Sequence, residues 1–152
     1  MRKNILLLAL LAVFISTNET QAQNKETTTT PFVWEGANLY FLLTDRFNNG
    51  DSSNDINYNR NKETGKLRGF MGGDVKGITQ KIEEGYFDQL GINAIWMTPL
   101  VEQIHEGTDE GTGYSYGFHG YWTKDWTAFD PNFGTAEEVK NMVEKAHQHG
   151  IR

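Results

Sequence analysis

An alternation restricts the fold of this chain more than any other feature: a short apolar run, a long connection and a helix-patterned segment, in that order and twice over. Residues 39–44 form an apolar run bounded by polar and turn residues, as expected of a strand buried on both faces. From Ile78, apolar residues recur at helical spacing through Ile82, Tyr86 or Phe87 and Leu90, and Gly91 follows as a stop, so one helix is expected here. Residues 93–97 read as a second buried strand, ended by Thr98 and Pro99. Thr135 and Glu138 then form a capping box, each side chain satisfying an amide left over at the helix start. Val139, Met142, Val143 and Ala146 make the apolar stripe of that helix, Gly150 ends it, and Ile151 reads as the first residue of a third strand.

Strands alternating with helices imply a parallel sheet joined by right-handed crossovers. An open doubly wound sheet and a closed barrel both satisfy that rule. Here the long connections, residues 45–74 and 100–130, follow strands, and the short ones follow helices. Connections after strands sit at the strands' carboxyl ends, where barrel enzymes build their sites, so the barrel is favoured. The expected class is therefore α/β, the N-terminal portion of a parallel barrel that breaks off as its third strand begins. The first connection is rich in glycine and shows no sustained periodicity, and a loop of that length is expected to be functional or disordered; the second reads as another long loop, rich in glycine and aromatic residues.

The first connection carries the clearest chemistry. Asp51, Asp55 and Asp74 supply carboxylates, and Asn49 and Asn54 supply amide oxygens. Five hard donors on one loop system suit Ca2+, which takes six to eight oxygens in adaptable geometry. The same residue types also crowd into ordinary surface turns, because they tolerate left-handed backbone. An EF-hand is excluded: a loop starting at Asp45 would place Phe47 at the third ligand position and Ile56 where the bidentate Glu belongs.

Residues 1–22 have the three-part pattern of a secretory signal peptide: basic Arg2 and Lys3, an apolar run over residues 5–15, and small residues near Ala22. That run is too short to span a bilayer. Residues 23–36, with four consecutive threonines, read as a flexible leader before a folded part at 37–152. The chain has no cysteine, so neither a disulfide nor a lipoprotein anchor is available within it. A net charge of −6 argues against a nucleic-acid partner, which asks for a basic stripe. A secreted or periplasmic protein with no membrane span in its mature form is expected.

Six blocks in order carry a resemblance: Thr44-Asp45-Arg46-Phe47, Asn48-Asn49-Gly50-Asp51, Gly72-Gly73-Asp74-Val75-Lys76-Gly77-Ile78, the run from Leu90 through Pro99, His119-Gly120-Tyr121-Trp122, and Asp130-Pro131-Asn132-Phe133-Gly134-Thr135. Together they resemble the opening third of the α-amylase family, glycoside hydrolase family 13, and in particular bacterial cyclodextrin glucanotransferases and extracellular α-amylases. The resemblance implies a (β/α)8 TIM barrel in which the first loop holds a structural Ca2+. Its ligands would be the side chains of Asn49, Asp51, Asn54, Asp55 and Asp74 with the backbone oxygen of Gly72. The family often has Asp at the place of Asn49 and Asn at those of Asp51 and Asp55, exchanges that keep an oxygen donor each time. The glucanotransferases pin this loop with a disulfide that is absent here.

The resemblance further implies that His119 donates to a hydroxyl of the sugar at the cleavage subsite, that Tyr121 stacks under that sugar, and that Trp122 builds the same wall. A pyranose has an apolar face that suits an aromatic ring. The implied activity is cleavage of α-glucosidic bonds with retention, by a nucleophile and an acid roughly 5–5.5 Å apart. The partner would be an α-glucan or maltooligosaccharide. In the family the catalytic carboxylates lie beyond strands four, five and seven, so none is assigned here and the chain alone is expected to be inactive. The alternative is a catalytically silent barrel kept as a glucan-binding or assembly protein. His147 and His149, two apart on a helix, point to different faces and read as a solvated helix end rather than a zinc pair. Asp125 and Asp130 read as turn and cap residues, while Tyr114, Tyr116 and Phe118 line a groove or pack the loop.

Overall fold

The computed structural model describes residues 31–152, so the signal-peptide expectation and most of the leader fall outside the described residues. The folded body runs from Val33 to Arg152. A 3-10 turn at Trp34–Gly36 precedes β1 (Leu39–Leu42), which passes into the helical turn α1 (Thr44–Phe47) and then the first long connection, with a 3-10 turn at Ser52–Asn54. Next come α2 (Val75–Glu83), the short α3 (Tyr86–Gln89) and β2 (Ala94–Met97). The second connection holds β3 (Val101–Gln103), β4 (Thr108–Asp109), β5 (Tyr114–Ser115) and β6 (Thr123–Phe129), and α4 (Ala136–Gln148) follows.

β1 and β2 pair in parallel, Leu39 opposite Ala94 through to Leu42 opposite Met97. On the far edge of β2 the Arg152 amide donates to the Asn93 carbonyl at 2.9 Å, and the Ile95 amide donates to the Arg152 carbonyl at 2.7 Å. Arg152 thus lies where the next parallel strand begins, and Ile151 beside it is buried. Leu42, Val75, Ile78, Ile82, Phe87, Met142 and Ile151 form one core between the sheet and the helix pair α2 and α4. Burying each such side chain is worth about 1.5–3 kcal/mol, so this cluster is what joins the two strand-helix units.

Of the helix starts, that of α4 is as the sequence implies, whereas the cap of α2 falls on Asp74, read from the sequence only as a cation ligand. Asp74 caps α2, its Oδ1 accepting from the Gly77 amide at 2.6 Å. At α4 the Thr135 hydroxyl accepts from the Glu138 amide, and the Glu138 carboxylate accepts from the Thr135 amide.

Three expectations are corrected. The single helix over residues 78–90 is two helices, because Gly85 sits at φ +73°, a left-handed conformation that interrupts the hydrogen-bond ladder. Phe87 still reaches the core, which is why the helical period survives the break. The second connection is not irregular: β3 and β6 pair antiparallel, Val101 with Phe129, Glu102 with Asp125 and Gln103 with Thr123, and β4 and β5 form a hairpin. Register shifts between each of those pairs break the period-two pattern that would have announced the ribbon. Finally, β1 and β2 are not buried on both faces: away from the helices Ala94 is buried, but Leu39 is 52% exposed. Phe41 and Trp96 meet edge to face at 5.6 Å on that side and stay 55% and 58% exposed.

Candidate functional site

Both long connections leave the carboxyl ends of β1 and β2, so their residues gather at one end of the sheet. His119, Tyr121 and Trp122 come together there on a turn closed by the Gly120 amide donating to the Gly117 carbonyl at 3.0 Å. Gly120 has φ +85°, and a Cβ on it would fall 2.3 Å from the Pro99 carbonyl oxygen. Only glycine lets the turn lie directly on the end of β2. The His119 and Tyr121 rings are nearly parallel, 5.9 Å apart at 21°, and Trp122 meets His119 edge-on at 5.0 Å. Tyr121 is 58% exposed, leaving its ring open to a flat apolar ligand face.

The His119 tautomer follows from its partner. The Tyr121 amide donates to Nδ1 at 3.0 Å, so Nδ1 carries a lone pair and the proton sits on Nε2. Burial lowers the imidazole pKa, outweighing the opposing pull of Glu110. The ring is therefore a neutral Nε2–H donor at neutral pH. Behind it, the Trp122 amide donates to the Gln103 side-chain oxygen at 2.7 Å, and the Ile104 amide donates to the Trp122 carbonyl at 2.8 Å.

The second-loop aromatics resolve in favour of packing. The Tyr116 hydroxyl accepts from the Lys62 amide and the Tyr114 hydroxyl from the Gly107 amide, with the two rings T-shaped at 5.4 Å. Phe118 lies under the Arg46 guanidinium at 4.0 Å. These contacts fasten the two connections to each other.

In the oxygen-rich loop, Asn49, Asp55 and Gly72 converge: a Cβ on Gly72 would meet the Asn49 amide nitrogen at 2.3 Å and Asp55 Oδ1 at 2.5 Å. The Asn49 amide donates to Asp55 Oδ1 at 2.8 Å. Asp74 is fully buried, with Oδ1 taking the Gly50 amide and Oδ2 the Asp51 amide and the Asn54 side chain. The Asn54 side-chain oxygen is buried with no donor. An orphaned acceptor is what a hard cation satisfies, and Asn54 together with the converging Asn49, Asp55 and Gly72 offers oxygens suited to one, whereas both Asp74 oxygens are already taken by amide donors. Asp51 is turned elsewhere: the Ser53 hydroxyl and the Lys76 ammonium at 3.0 Å hold its carboxyl down to about 2. Joining the others would require it to leave Lys76. Among the described residues no three acidic or imidazole side chains converge as a metal cluster, so amide and carbonyl oxygens would have to complete the set.

Asp45, which carried no role in the sequence reading beyond its motif, shapes this loop. It is buried and accepts from the Met71 and Gly72 amides, with Arg46 Nε at 3.1 Å. Burial still pushes its carboxyl up to about 6. Arg60 was missed altogether, and Asp130 is more than a cap: the two form a fully buried ion pair at 2.8 Å. They are far apart in sequence, and no local pattern links them. Asp125, read as a turn residue, lies instead within β6 opposite Glu102, where its carboxylate accepts from the Thr127 amide and hydroxyl. His149 pairs with Asp88 at 2.6 Å while His147 borders an apolar hollow between α2, β2 and α4, so the two imidazoles do not converge.

Comparison with known proteins agrees with this geometry. The chain is 46% identical over 129 residues to the periplasmic alpha-amylase of Escherichia coli, covering 82% of this chain and 19% of that protein. It is 33% identical over 150 residues to the cyclomaltodextrin glucanotransferase of Thermoanaerobacterium thermosulfurigenes, covering 97% and 21% respectively. Among solved structures it matches the three-domain cyclomaltodextrin glucanotransferase CldA with a TM-score of 0.66 and 37% identity, over 75% of this chain and 24% of that one. The chain thus spans about a fifth of the length of the curated relatives it matches. With residues 41–152 also matching the alpha-amylase catalytic domain, the chain belongs to the alpha-amylase family.

Proposed function

We propose that this chain is the N-terminal part of an exported, retaining glycoside hydrolase or transglycosylase of the α-amylase type, acting on α-glucans or maltooligosaccharides. The two parallel strand-helix units, with a third strand position marked by Arg152, suit the start of a (β/α)8 barrel. The observation that carries the reading is the wall at the end of β2, a neutral Nε2–H donor beside an exposed tyrosine ring. A hydrogen-bonding group next to a stacking face reads a pyranose by both its hydroxyls and its apolar side. His119 would donate to a sugar hydroxyl, Tyr121 would stack, and Trp122 would hold the imidazole plane. Asn49, Asn54, Asp55 and Gly72 would hold Ca2+, with Asp74 joining if it exchanges an amide donor, and Asp51 if it exchanges Lys76, for the cation. The ion would supply a fixed positive centre that cross-links the first connection. The apolar run of residues 5–15 and a periplasmic relative support export.

The test is to incubate the intact protein with soluble starch and follow new reducing ends, cyclic dextrins and the anomeric form of the first product. Bond cleavage with an α-anomeric product is expected, because a covalent intermediate gives net retention. A β-anomeric first product would overturn retention. Tight binding of amylose with no bond broken would favour the catalytically silent glucan-binding barrel instead.

A further inference from the structure

A second polar constellation is built on Arg60. Its Nη1 donates to Asp130 Oδ1 and to the Asn132 side-chain oxygen, both at 2.8 Å. Its Nη2 donates to Asp130 Oδ2 at 2.8 Å and to the Gln103 carbonyl at 2.9 Å. The rings of Tyr58 and Phe70 stand 5.0 and 4.9 Å from the guanidinium carbon. Asp130 also accepts from the Gln103 and Asn132 amides. Neither ionic side chain is exposed.

Two relays leave this node. Gln103, whose backbone is held by both Arg60 and Asp130, uses its side-chain oxygen to hold the Trp122 amide, and Gly117 packs against its Cβ. Asn132, held through its side-chain oxygen by Arg60, uses its side-chain nitrogen to donate to the Asp55 carbonyl at 2.6 Å. We propose that the Arg60–Asp130 pair is a positioning element that seats the His119–Trp122 wall and the oxygen-rich loop in one frame, through Gln103 on one side and Asn132 on the other. This deepens the glucan-active reading above and rests on it for its catalytic consequence.

The chemistry of the node favours position over mere cohesion. Removing two charges from water costs about what their attraction returns, so a buried pair adds little net stability over an apolar replacement. What it does supply is fixed direction. A planar guanidinium presents donors in a rigid fork, and here four of its hydrogen bonds reach three residues on two separate segments, Gln103 on one and Asp130 and Asn132 on the other. Lysine, a point charge on a flexible stem, reproduces the charge without the fork.

Three variants of the intact protein test this, each read by amide hydrogen exchange and by kcat and KM on maltotriose. Gln103→Met keeps the backbone contacts with Arg60 and Asp130 and deletes the acceptor for Trp122 together with a local donation to the Val101 carbonyl two residues back. It should speed exchange across residues 117–123 and lower kcat/KM about tenfold, mostly in kcat, because a small misplacement of a catalytic wall is costly. Asn132→Ala should speed exchange in residues 54–57 and leave 117–123 protected. Arg60→Lys should loosen both segments. If Gln103→Met and Arg60→Lys lower the melting temperature but leave exchange at 117–123 and kcat/KM at wild-type values, the pair is structural only and the proposal is overturned. Should Arg60→Lys fail to fold, Gln103→Met alone decides. A wild type inactive on every glucan defeats the functional reading, and the exchange data then still decide the positioning claim.

Discussion

Replacing His119 with alanine in the intact protein is expected, on the proposed glucan-active reading, to lower kcat/KM on a short maltooligosaccharide about a hundredfold and to leave the melting temperature nearly unchanged. The imidazole is locked as a neutral donor, with Nδ1 occupied by the Tyr121 amide and Nε2–H left for a ligand. A donor lost from a water-poor site strands a hydroxyl and costs about 2–3 kcal/mol, which is the hundredfold when the bond tightens in the transition state. Stability should move little because the half-buried ring has one backbone partner, on its own turn. The pH profile adds a second check. A folded pKa below the ordinary 6.5 means the folded state binds fewer protons than the unfolded one, so His119 detracts from stability only as pH falls below 6.5. Protonation of Nδ1 would also break the Tyr121 bond, so an acid limb in kcat/KM should start below that value. The alanine variant should lack the limb. Equal activity of the two proteins on maltotriose would reject the assignment.

How much of this was legible in the sequence depends on the range of the interaction. Features fixed within a few residues read well: the Thr135–Glu138 box, the Gly150 stop and the two strands each rest on local chemistry. His119, Tyr121 and Trp122 were singled out through resemblance alone, since nothing local says that Gly120 must lie against Pro99. What did not read was whatever depends on distant partners. The antiparallel ribbon of β3 and β6 was hidden because its three pairings are each out of step with the next. The Arg60–Asp130 pair spans seventy residues, and Asp130 sits in an Asp-Pro turn whose local role is real but incomplete, as its carbonyl accepts from Phe133 while its carboxylate faces Arg60.

The exposed side of the sheet follows the same logic. Phe41 and Trp96 look wasteful on a surface, yet each belongs to an apolar run that read as buried on both faces. Their helix-side neighbours Leu42 and Tyr40 found partners in α2 and α3, whereas an inward barrel face needs strands from around the whole cylinder. Under the proposed barrel, strands from around the cylinder would cover this face of the apolar run.

The largest stability effect should come from Asp74. Its carboxylate, fully buried, takes amide donors from Gly50, Asp51 and Gly77 and the side-chain amide of Asn54, so it ties the first connection to the start of α2. Asp74→Ala removes a helix cap worth about 1 kcal/mol and strands donors at about 1–3 kcal/mol each, some of which water can reach. A net loss of about 3–5 kcal/mol is expected, a fall of roughly 10 °C in the melting temperature. This effect exists without any metal, so chelation is needed to separate the two roles. If the loop binds Ca2+, a chelator should lower the melting temperature of wild type, because a ligand that binds only the folded state stabilises it by mass action. Asp74→Ala should then melt at the same temperature with and without chelator. If Asp51 exchanges Lys76 for the cation, Asp51→Ala should also lose the chelator response but melt close to chelated wild type, since its carboxylate otherwise holds only Ser53 and Lys76 near the surface. A wild type indifferent to chelator, with Asp74→Ala still strongly destabilised, would leave Asp74 as a clasp of backbone amides and remove the cation from the loop.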